Sequence, residues 1–245
     1  MERVWDRFLT ERDKAVIAAA GYGGLAGLGA RPALLIVDVS YGFTGDRPEP
    51  ILESIKRWNN SCGEESWRAI AVIHRLAAAC REKGLPVIYT TGETRADNWD
   101  AGSWSWKNSR TEEAAAPPPE GPGYNEIVAE LAPRPEDIVV RKQKPSGFFG
   151  TNLLSYLTLL GCDGLIVAGA TTSGCVRATV IDAFSNNLRA TVVEEGCFDR
   201  SEASHAVSLF DMHAKYADVL PLETVLEQVA GLPAGLFPNR PTGPR

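Results

Sequence analysis

The sequence predicts an α/β protein of three layers, in which a mostly parallel central sheet of about six strands lies between two layers of helices. Short, uniformly apolar and often β-branched segments recur along the chain from residue 32 onward. Segments with helical composition or helical spacing lie between them. Because strands that are apolar throughout are buried on both faces, this alternation favours a parallel sheet that is covered by helices on each side.

Six segments have the composition of buried strands, and four helices are expected between them. The strands are expected at residues 33–37, 85–90, 138–141, 165–168, 190–193 and 218–220. The helices are expected at residues 65–83, 153–160, 176–184 and 201–215. In the first helix Ile70, Ile73 and Leu76 lie near helical spacing, and Gly84 follows the last turn. Ligands of such sheets bind beyond the carboxyl ends of the strands.

The chain is expected to divide into an N-terminal helical extension (residues 1–30), one large α/β domain (31–230) and a C-terminal tail (231–245). Residues 11–20 have helix-forming composition, and the glycine-rich stretch 21–29 ends that helix. Such an extension either packs on a neighbouring subunit or frays, and the sequence favours neither outcome.

Length and charge exclude several classes of protein. The chain has 245 residues, of which 44% are hydrophobic and 23% are charged, as expected of one globular α/β domain. The net charge of −6 argues against nucleic acid as a partner, since nucleic-acid binders normally carry a basic face. No apolar run reaches the roughly 18 residues that span a bilayer, so no membrane partner is expected. The charged N-terminus lacks the apolar stretch of a signal peptide, and we expect a cytoplasmic protein.

Cysteine and histidine are sparse and scattered. The five cysteines form no CxxC pair, and the three histidines form no HExxH cluster. The sequence therefore predicts neither a disulfide framework nor a metal site, and no cofactor. A catalytic base other than histidine is expected.

Cys175 is the first candidate for a catalytic group. It follows the predicted strand at 165–168 by one turn and precedes the predicted helix at 176–184. The N–H groups and dipole of a helix N-terminus favour a thiolate, which suits a nucleophile. The alternative is that Cys175 is a small buried hydrophobe.

Two further reactive side chains follow predicted strands. Asp38 comes after the strand at 33–37, and Lys142 comes after the strand at 138–141. Because parallel strands end at one edge of the sheet, we expect both side chains near Cys175. A buried carboxylate takes a thiol proton, and an ammonium group stabilises the resulting anion. Each residue also has an ordinary interpretation: the Asp caps the following turn, and the Lys is solvated.

The chain resembles the isochorismatase-like cysteine hydrolases, most closely the branch with N-carbamoylsarcosine and maleamate amidohydrolases. The resemblance covers roughly residues 31–228 and identifies the α/β domain as an isochorismatase-like hydrolase domain. The matching motifs occur in order at 33–38 (ALLIVD), 139–142 (VVRK), 146–152 (SGFFGTN), 169–177 (GATTSGCVR), 199–200 (DR) and 209–218 (LFDMHAKYAD). The family's Asp–Lys–Cys triad maps onto Asp38, Lys142 and Cys175. Its spacing selects Lys142 and not the nearby Lys144.

The resemblance also implies an oxyanion hole and a substrate anchor. The oxyanion hole maps onto the backbone N–H groups of Thr171 and Cys175, after a non-proline cis bond at Ala170–Thr171. Arg200 fits the position at which the carbamoylsarcosine and maleamate enzymes hold the substrate carboxylate, which a guanidinium binds in a two-pronged way. The alternative for Arg200 is an ion pair with Asp199 or Glu202.

Residues 91–123 form a long irregular segment, which is typical of a lid. It contains Trp104 and Lys107. Either these two side chains line the pocket, or the tryptophans of the segment pack a subunit interface. It offers no histidine where the nicotinamidase relatives hold a metal, so metal-dependent nicotinamidase activity is not expected. By resemblance, the protein is expected to be a homo-oligomer, either a dimer or a tetramer.

The function predicted from these residues is hydrolysis of the C–N bond of a small carboxylate-bearing amide or N-carbamoyl compound. The reaction runs through a thioester and releases ammonia. Two alternatives stay open at this point. One is an isochorismatase-type hydrolase of a vinyl ether, and the other is a non-catalytic member in which Cys175 senses oxidants.

Overall fold

The structure, a computed structural model, describes residues 3–114 and 121–238. Within this part of the chain the sheet has six strands: β1 (Pro32–Val37), β2 (Val87–Gly92), β3 (Ile138–Lys142), β4 (Gly164–Ala170), β5 (Arg189–Phe198) and β6 (Asp218–Leu220). The strand order is β3-β2-β1-β4-β5-β6, and every neighbouring pair is parallel. The α-helices are α1 (Glu11–Ala20), α2 (Tyr41–Thr44), α3 (Ile51–Ser54), α4 (Glu64–Glu82), α5 (Leu153–Leu160), α6 (Arg177–Ser185), α7 (Glu202–Lys215) and α8 (Leu222–Gly231).

The central strand β1 shows how the three layers form. Its side chains alternate, so that Leu34 and Ile36 enter one apolar core with residues of α4 and α8. Ala33, Leu35 and Val37 enter a second core with residues of α5, α6 and α7. All six residues of β1 are buried, as expected of a strand that is covered on both faces. The predicted three-layer α/β/α architecture with a six-stranded sheet is confirmed.

Some elements extend beyond their predicted bounds. β3 continues through Lys142, which the sequence places just after the strand. β5 runs on to Phe198 because two glutamates that interrupt its apolar pattern have partners. Glu194 forms an ion pair with Arg3 at 2.7 Å, and Glu195 accepts a hydrogen bond from the Leu222 N–H. The helix α8 was not predicted, and the predicted 91–123 segment contains the short 3₁₀ elements Trp99–Trp106 and Thr111–Ala114.

The N-terminal segment packs on the chain's own domain. Trp5 is buried in the second core, and the Gly23 N–H donates to the carbonyl of Ala214. The backbone N–H groups of Ala26 and Gly27 donate to the Asp218 carboxylate. The helix α1 has no buried residue and begins with a capping box.

The predicted division at residues 30 and 230 stays a prediction. Residues 1–2 of the extension, 115–120 of the long segment and 239–245 of the tail lie outside the described residues. Of the helices in residues 3–114 and 121–238, none has both the length and the apolarity to cross a bilayer. The cytoplasmic location likewise stays a prediction.

Candidate active site

Three predicted residues meet at the carboxyl edge of the sheet. β1 lies between β2 and β4 in the sheet, and β3 lies beyond β2. Asp38 follows β1, Lys142 ends β3, and Cys175 lies one turn after β4. All three side chains are buried and line one cavity. The strand order therefore brings together residues that are far apart in the sequence.

Asp38 is held by its backbone and by both carboxylate oxygens. Its N–H donates to the carbonyl of Thr90 at 3.0 Å, and its φ of 50° lies in the left-handed region. The Thr90 hydroxyl donates to Asp38 Oδ1 at 2.7 Å. The Lys142 ammonium lies 2.6 Å from Oδ2. A charged hydrogen bond and a hydroxyl donor thus stabilise the ionised carboxylate in a buried place.

Lys142 links the carboxylate to the thiol. Its Nζ lies 3.4 Å from Cys175 Sγ and donates to the carbonyl of Lys144 at 3.0 Å. Burial opposes the charged form, but the Asp38 carboxylate and the Cys175 thiol raise the pKa of Lys142 above its ordinary value. Lys142 therefore stays a cation at neutral pH. The side chain of Lys144 has no contact of this kind with Asp38 or Cys175 in the described residues.

Cys175 lies in a single π-helical turn, Thr172–Val176, that precedes α6. Burial raises the pKa of its thiol to about 12, the Asp38 carboxylate adds to the rise, and Lys142 opposes it. Loss of solvation and the nearby negative charge thus oppose the thiolate that the helix N-terminus is expected to favour. The thiol needs a base before it can act as a nucleophile.

The chain before the nucleophile has an unusual backbone. The peptide bond between Ala170 and Thr171 is cis, as the family resemblance implies. At Gly169 the φ is 119°, and a Cβ there would collide with the carbonyl of Val37. Glycine therefore allows β4 to approach β1 closely at this level. Thr171, the second residue of the cis peptide bond, lines the same cavity as Asp38.

The π-helical turn is also tied to the end of β5 and to α7. The Ser173 N–H donates to the Asp199 carboxylate at 2.7 Å. The Thr172 hydroxyl lies 2.8 Å from Nδ1 of His205, whose pKa burial lowers. The Thr179 hydroxyl donates to the carbonyl of Cys175 at 2.6 Å. These contacts fix the turn from both sides.

The cavity has a volume of about 470 Å³ and also contains the residues predicted to bind substrate. Trp104, Lys107 and Arg200 all line it, together with Thr171. The volume lies within the roughly 300–1,000 Å³ that small-molecule sites occupy in proteins. The structure thus brings every predicted site residue to one cavity.

Arg200 forms no ion pair with another described residue. Its Nη1 donates to the carbonyl of Asn60 at 2.9 Å. The two carboxylates proposed as alternative partners are engaged elsewhere. Glu202 pairs with Arg7 at 2.7 Å, and Asp199 accepts backbone N–H groups. The guanidinium retains donors for an anion in the cavity.

The predicted lid forms one wall of the cavity. The Trp104 indole N–H donates to the carbonyl of Gln143 at 3.0 Å, and the Gln143 amide donates to Asp100 at 2.8 Å. Trp104 is 42% exposed, whereas Trp99 and Trp106 are about 80% exposed. Of the three tryptophans, Trp104 faces the cavity. The role of the segment as a lid stays a prediction.

Comparison with known proteins assigns the family. The family model described as the isochorismatase domain matches residues 32–224. The chain belongs to the isochorismatase family. It is similar to maleamate amidohydrolase of Pseudomonas putida, with 29% identity over 212 residues, 86% of this chain and 92% of that protein. It is also similar to N-carbamoylsarcosine amidase of Arthrobacter sp, with 31% identity over 231 residues, 91% of this chain and 80% of that protein.

Solved structures of isochorismatase-family proteins share the fold. The N-carbamoylsarcosine amidase of Thermoplasma acidophilum superposes with a TM-score of 0.61 at 25% identity, over 79% of this chain and 97% of that one. An isochorismatase family protein of Desulfovibrio vulgaris superposes with a TM-score of 0.68 at 28% identity, over 82% of this chain and 100% of that one. The predicted isochorismatase-like hydrolase fold is confirmed.

No group of three or more His, Cys, Asp or Glu side chains is arranged to hold a metal ion in residues 3–114 and 121–238. Sequence reasoning missed several residues of this isochorismatase-family site. Thr90, Asn60, Phe43 and Tyr124 were not singled out, although all but Thr90 line the cavity. The one available signal was the position of Thr90 at the end of a predicted strand.

Proposed function

We propose that this protein is a cysteine-dependent amidohydrolase that cleaves the C–N bond of a small carboxylate-bearing amide or N-carbamoyl compound. The observation that carries the proposal is the buried contact of Asp38, Lys142 and Cys175 in a cavity that also contains Arg200. Its relatives include enzymes named maleamate amidohydrolase and N-carbamoylsarcosine amidase. These names describe acids that carry an amide or carbamoyl group.

Proton transfer starts the reaction. Because the pKa of the Cys175 thiol is about 12, a base must remove its proton as the thiol attacks. Asp38 is the base, since its carboxylate is buried beside the thiol and lies in contact with Lys142. The Lys142 ammonium, 3.4 Å from Sγ, stabilises the thiolate. Lys142 thus serves as an electrostatic group and keeps its proton.

Two acyl-transfer steps complete the cycle. The thiolate forms a bond to the substrate carbonyl carbon, and the carbonyl electron pair moves to oxygen. When the pair returns, the C–N bond breaks and ammonia leaves with the proton from Asp38. Water then gives a proton to Asp38 and attacks the thioester, and the thiolate leaves and is reprotonated. The products are ammonia and a carboxylic or carbamic acid.

Backbone N–H groups stabilise the oxyanion. We assign this role to Thr171, which directly precedes the π-helical turn, and to Cys175 within it. A fixed donor in a water-poor site is worth about 2.7–4 kcal/mol to the transition state of acyl transfer. The turn is fixed by Asp199 and His205, so the donors need no reorganisation during the reaction.

Arg200 binds the substrate carboxylate. It is the cavity residue that combines a permanent charge with a planar pair of donors. Trp104 and Lys107 form the facing wall and set the shape and charge of the space beside the reacting carbonyl. We also propose a homo-oligomer, supported by the exposed apolar side chains of Trp99, Trp106 and Phe149. Light scattering on the purified protein measures this.

The function is tested by ammonia release from a panel of substrates. The panel contains maleamate, N-carbamoylsarcosine and related N-carbamoyl amino acids, with the decarboxylated amides as controls. We expect release from at least one acid and about a thousandfold loss in Cys175→Ser. Cys162→Ser, which changes a cysteine on the opposite edge of the sheet, is expected to retain the wild-type rate.

Four outcomes contradict the proposal. Wild-type ammonia release by Cys175→Ser excludes the mechanism, and no release from any acid excludes the substrate class. Pyruvate released from isochorismate, without ammonia from the panel, identifies a vinyl ether hydrolase instead. Oxidation of Cys175 by mild peroxide in a protein with no hydrolase activity identifies a redox sensor.

A further inference from the structure

Thr90 makes two contacts with the proposed base. It lies on β2 opposite Val37 of β1, and its carbonyl accepts the Asp38 N–H at 3.0 Å. Its hydroxyl donates to Asp38 Oδ1 at 2.7 Å. Thr90 is 1% exposed, and its methyl group lies next to Gly147. Because threonine is β-branched, its χ1 is restricted, and the hydrogen bond directs the hydroxyl at Asp38.

The hydroxyl makes the two oxygens of Asp38 different. Oδ1 accepts from Thr90, while Oδ2 faces the ammonium of Lys142 at 2.6 Å. A carboxylate without a partner on one oxygen rotates about its terminal torsion, which has a broad energy minimum. With both oxygens held, the plane of the carboxylate is fixed relative to Cys175.

We infer that Thr90 is a positioning residue that fixes the plane of the Asp38 carboxylate, so that it accepts the proton of Cys175. The inference rests on the proposed function, in which Asp38 is the base. Thr90 itself does not line the cavity and acts only through Asp38. A hydroxyl that donates to a carboxylate favours the ionised form over the protonated one.

The other ionisable groups around Asp38 remain in place when the hydroxyl is lost. Lys142 from β3 and Cys175 from the π-helical turn face the carboxylate directly. The other ionisable side chains that line the same cavity are Glu93, Asp100, Lys107, Tyr124, Lys144 and Arg200. A change in pH dependence after substitution of Thr90 therefore reports on the missing hydroxyl.

The test compares Thr90→Val, which keeps shape and removes the hydroxyl, with Thr90→Ser, which keeps the hydroxyl. For Thr90→Val we expect kcat to fall about ten- to a hundredfold with KM changed less than about twofold, since the hydrogen bond is to a charged group. The acid limb of the pH profile is expected at higher pH, because the carboxylate form of the base loses a hydrogen-bond donor. Thr90→Ser is expected to keep the wild-type acid limb.

Thr191→Val is the matched control. Thr191 is a fully buried threonine of β5, and its hydroxyl has no partner among the described residues. Its substitution is expected to leave kcat and the acid limb unchanged. A thermal melt of each variant checks that the fold is retained.

A second readout needs no substrate. The rate of Cys175 alkylation by iodoacetamide, measured by mass spectrometry of its peptide, is followed against pH. In Thr90→Val the rate at neutral pH is expected to be lower than in the wild type and in Thr90→Ser, because a carboxylate whose plane is not fixed removes the thiol proton less well. If the panel yields no ammonia, the proposed function fails, while this measurement still tests Thr90.

The inference is overturned by either of two results. One is a folded Thr90→Val protein whose pH profile and alkylation curve superimpose on those of the wild type. The other is a Thr90→Ser protein whose curves shift as far as those of Thr90→Val, because the methyl group and not the hydroxyl would then be the important part of Thr90. If Thr90→Val fails to fold, Thr90→Ala, which also lacks the hydroxyl, takes its place in both comparisons.

Discussion

The two edges of the sheet each bury an aspartate, and the two aspartates have different surroundings. Asp38 at the carboxyl edge and Asp218 at the amino edge are both 2% exposed. Asp218 accepts N–H groups of Ala26 and Gly27, with donor–acceptor distances of 2.7–3.0 Å. Asp38 contacts a hydroxyl, an ammonium and a thiol, all of which are side chains.

The comparison shows that burial alone does not distinguish a catalytic carboxylate from a structural one. Peptide N–H groups do not exchange a proton with a carboxylate at ordinary pH, so Asp218 can only fasten residues 26–27 to the sheet. The thiol beside Asp38 carries a proton that the carboxylate can accept. The groups that contact each aspartate therefore distinguish the catalytic carboxylate at one edge from the structural carboxylate at the other.

The largest expected effect comes from making the same change at both edges. In Asp38→Asn we expect ammonia release to fall about a thousandfold, since the base is lost. The Asp38 charge contributes to raising the pKa of the Cys175 thiol to about 12, so this pKa is expected to fall below 12 in the variant. In Asp218→Asn we expect near wild-type kcat and a free energy of unfolding lower by about 1–3 kcal/mol.

These outcomes are measured by ammonia release, by alkylation of Cys175 against pH and by urea unfolding. The variant Asp38→Asn separates thiol acidity from catalysis, because its thiol ionises at lower pH while its activity is lost. A higher alkylation midpoint in Asp38→Asn would contradict the electrostatic account. An equal loss of activity in Asp218→Asn would remove the distinction between the edges.

The residues at the carboxyl edge were predictable because local patterns mark them. Asp38 and Lys142 adjoin apolar strands, Cys175 follows a third, and parallel strands end together. Local pattern alone did not separate Lys142 from Lys144, and the family spacing was needed for that. The structure agrees with that spacing, since the Nζ of Lys142 lies 3.4 Å from the thiol.

Other parts of the site depend on contacts between residues far apart in sequence. A threonine in a strand is an ordinary β-former, and the pairing of Thr90 with Val37 is set by the sheet register. The wall that contains Trp104 has no periodic pattern to read. Individual hydrogen bonds between distant residues hold it, such as the one that the Asn59 side-chain amide donates to the carbonyl of Arg110 at 2.8 Å. The resting pKa of Cys175 depends on burial, which the motif does not reveal.

An arginine lies at each edge of the sheet, and the two have different partners. Arg200 donates to one described carbonyl and faces the cavity, whereas Arg31 donates to the carbonyls of Gly161, Leu160 and Leu236. In Arg200→Lys we expect KM for the acid substrate to rise about ten- to a hundredfold with little change in kcat, since lysine cannot copy the two-pronged contact. In Arg31→Lys we expect an unchanged KM and a free energy of unfolding lower by about 1–2 kcal/mol.

Steady-state kinetics with acid substrates and their decarboxylated amides measures the effect. For the amide without a carboxylate, KM is expected to be the same in the wild type and in Arg200→Lys. A fall in kcat with an unchanged KM would instead place Arg200 among the groups that act on the transition state.

The smallest expected effect concerns the wall of the cavity. Trp104→Phe keeps an aromatic ring and removes the N–H that donates to the carbonyl of Gln143 at 3.0 Å. One neutral hydrogen bond at a half-exposed position contributes about 0.5–1.5 kcal/mol, so we expect kcat/KM to fall about two- to tenfold, mainly through KM. Trp106→Phe, at an 80% exposed position, is the control and is expected to change kcat/KM less than about twofold. Equal effects of the two substitutions would show that Trp104 does not shape the cavity. A large fall in kcat for Trp104→Phe would show that this wall positions the reacting groups and does more than admit the substrate.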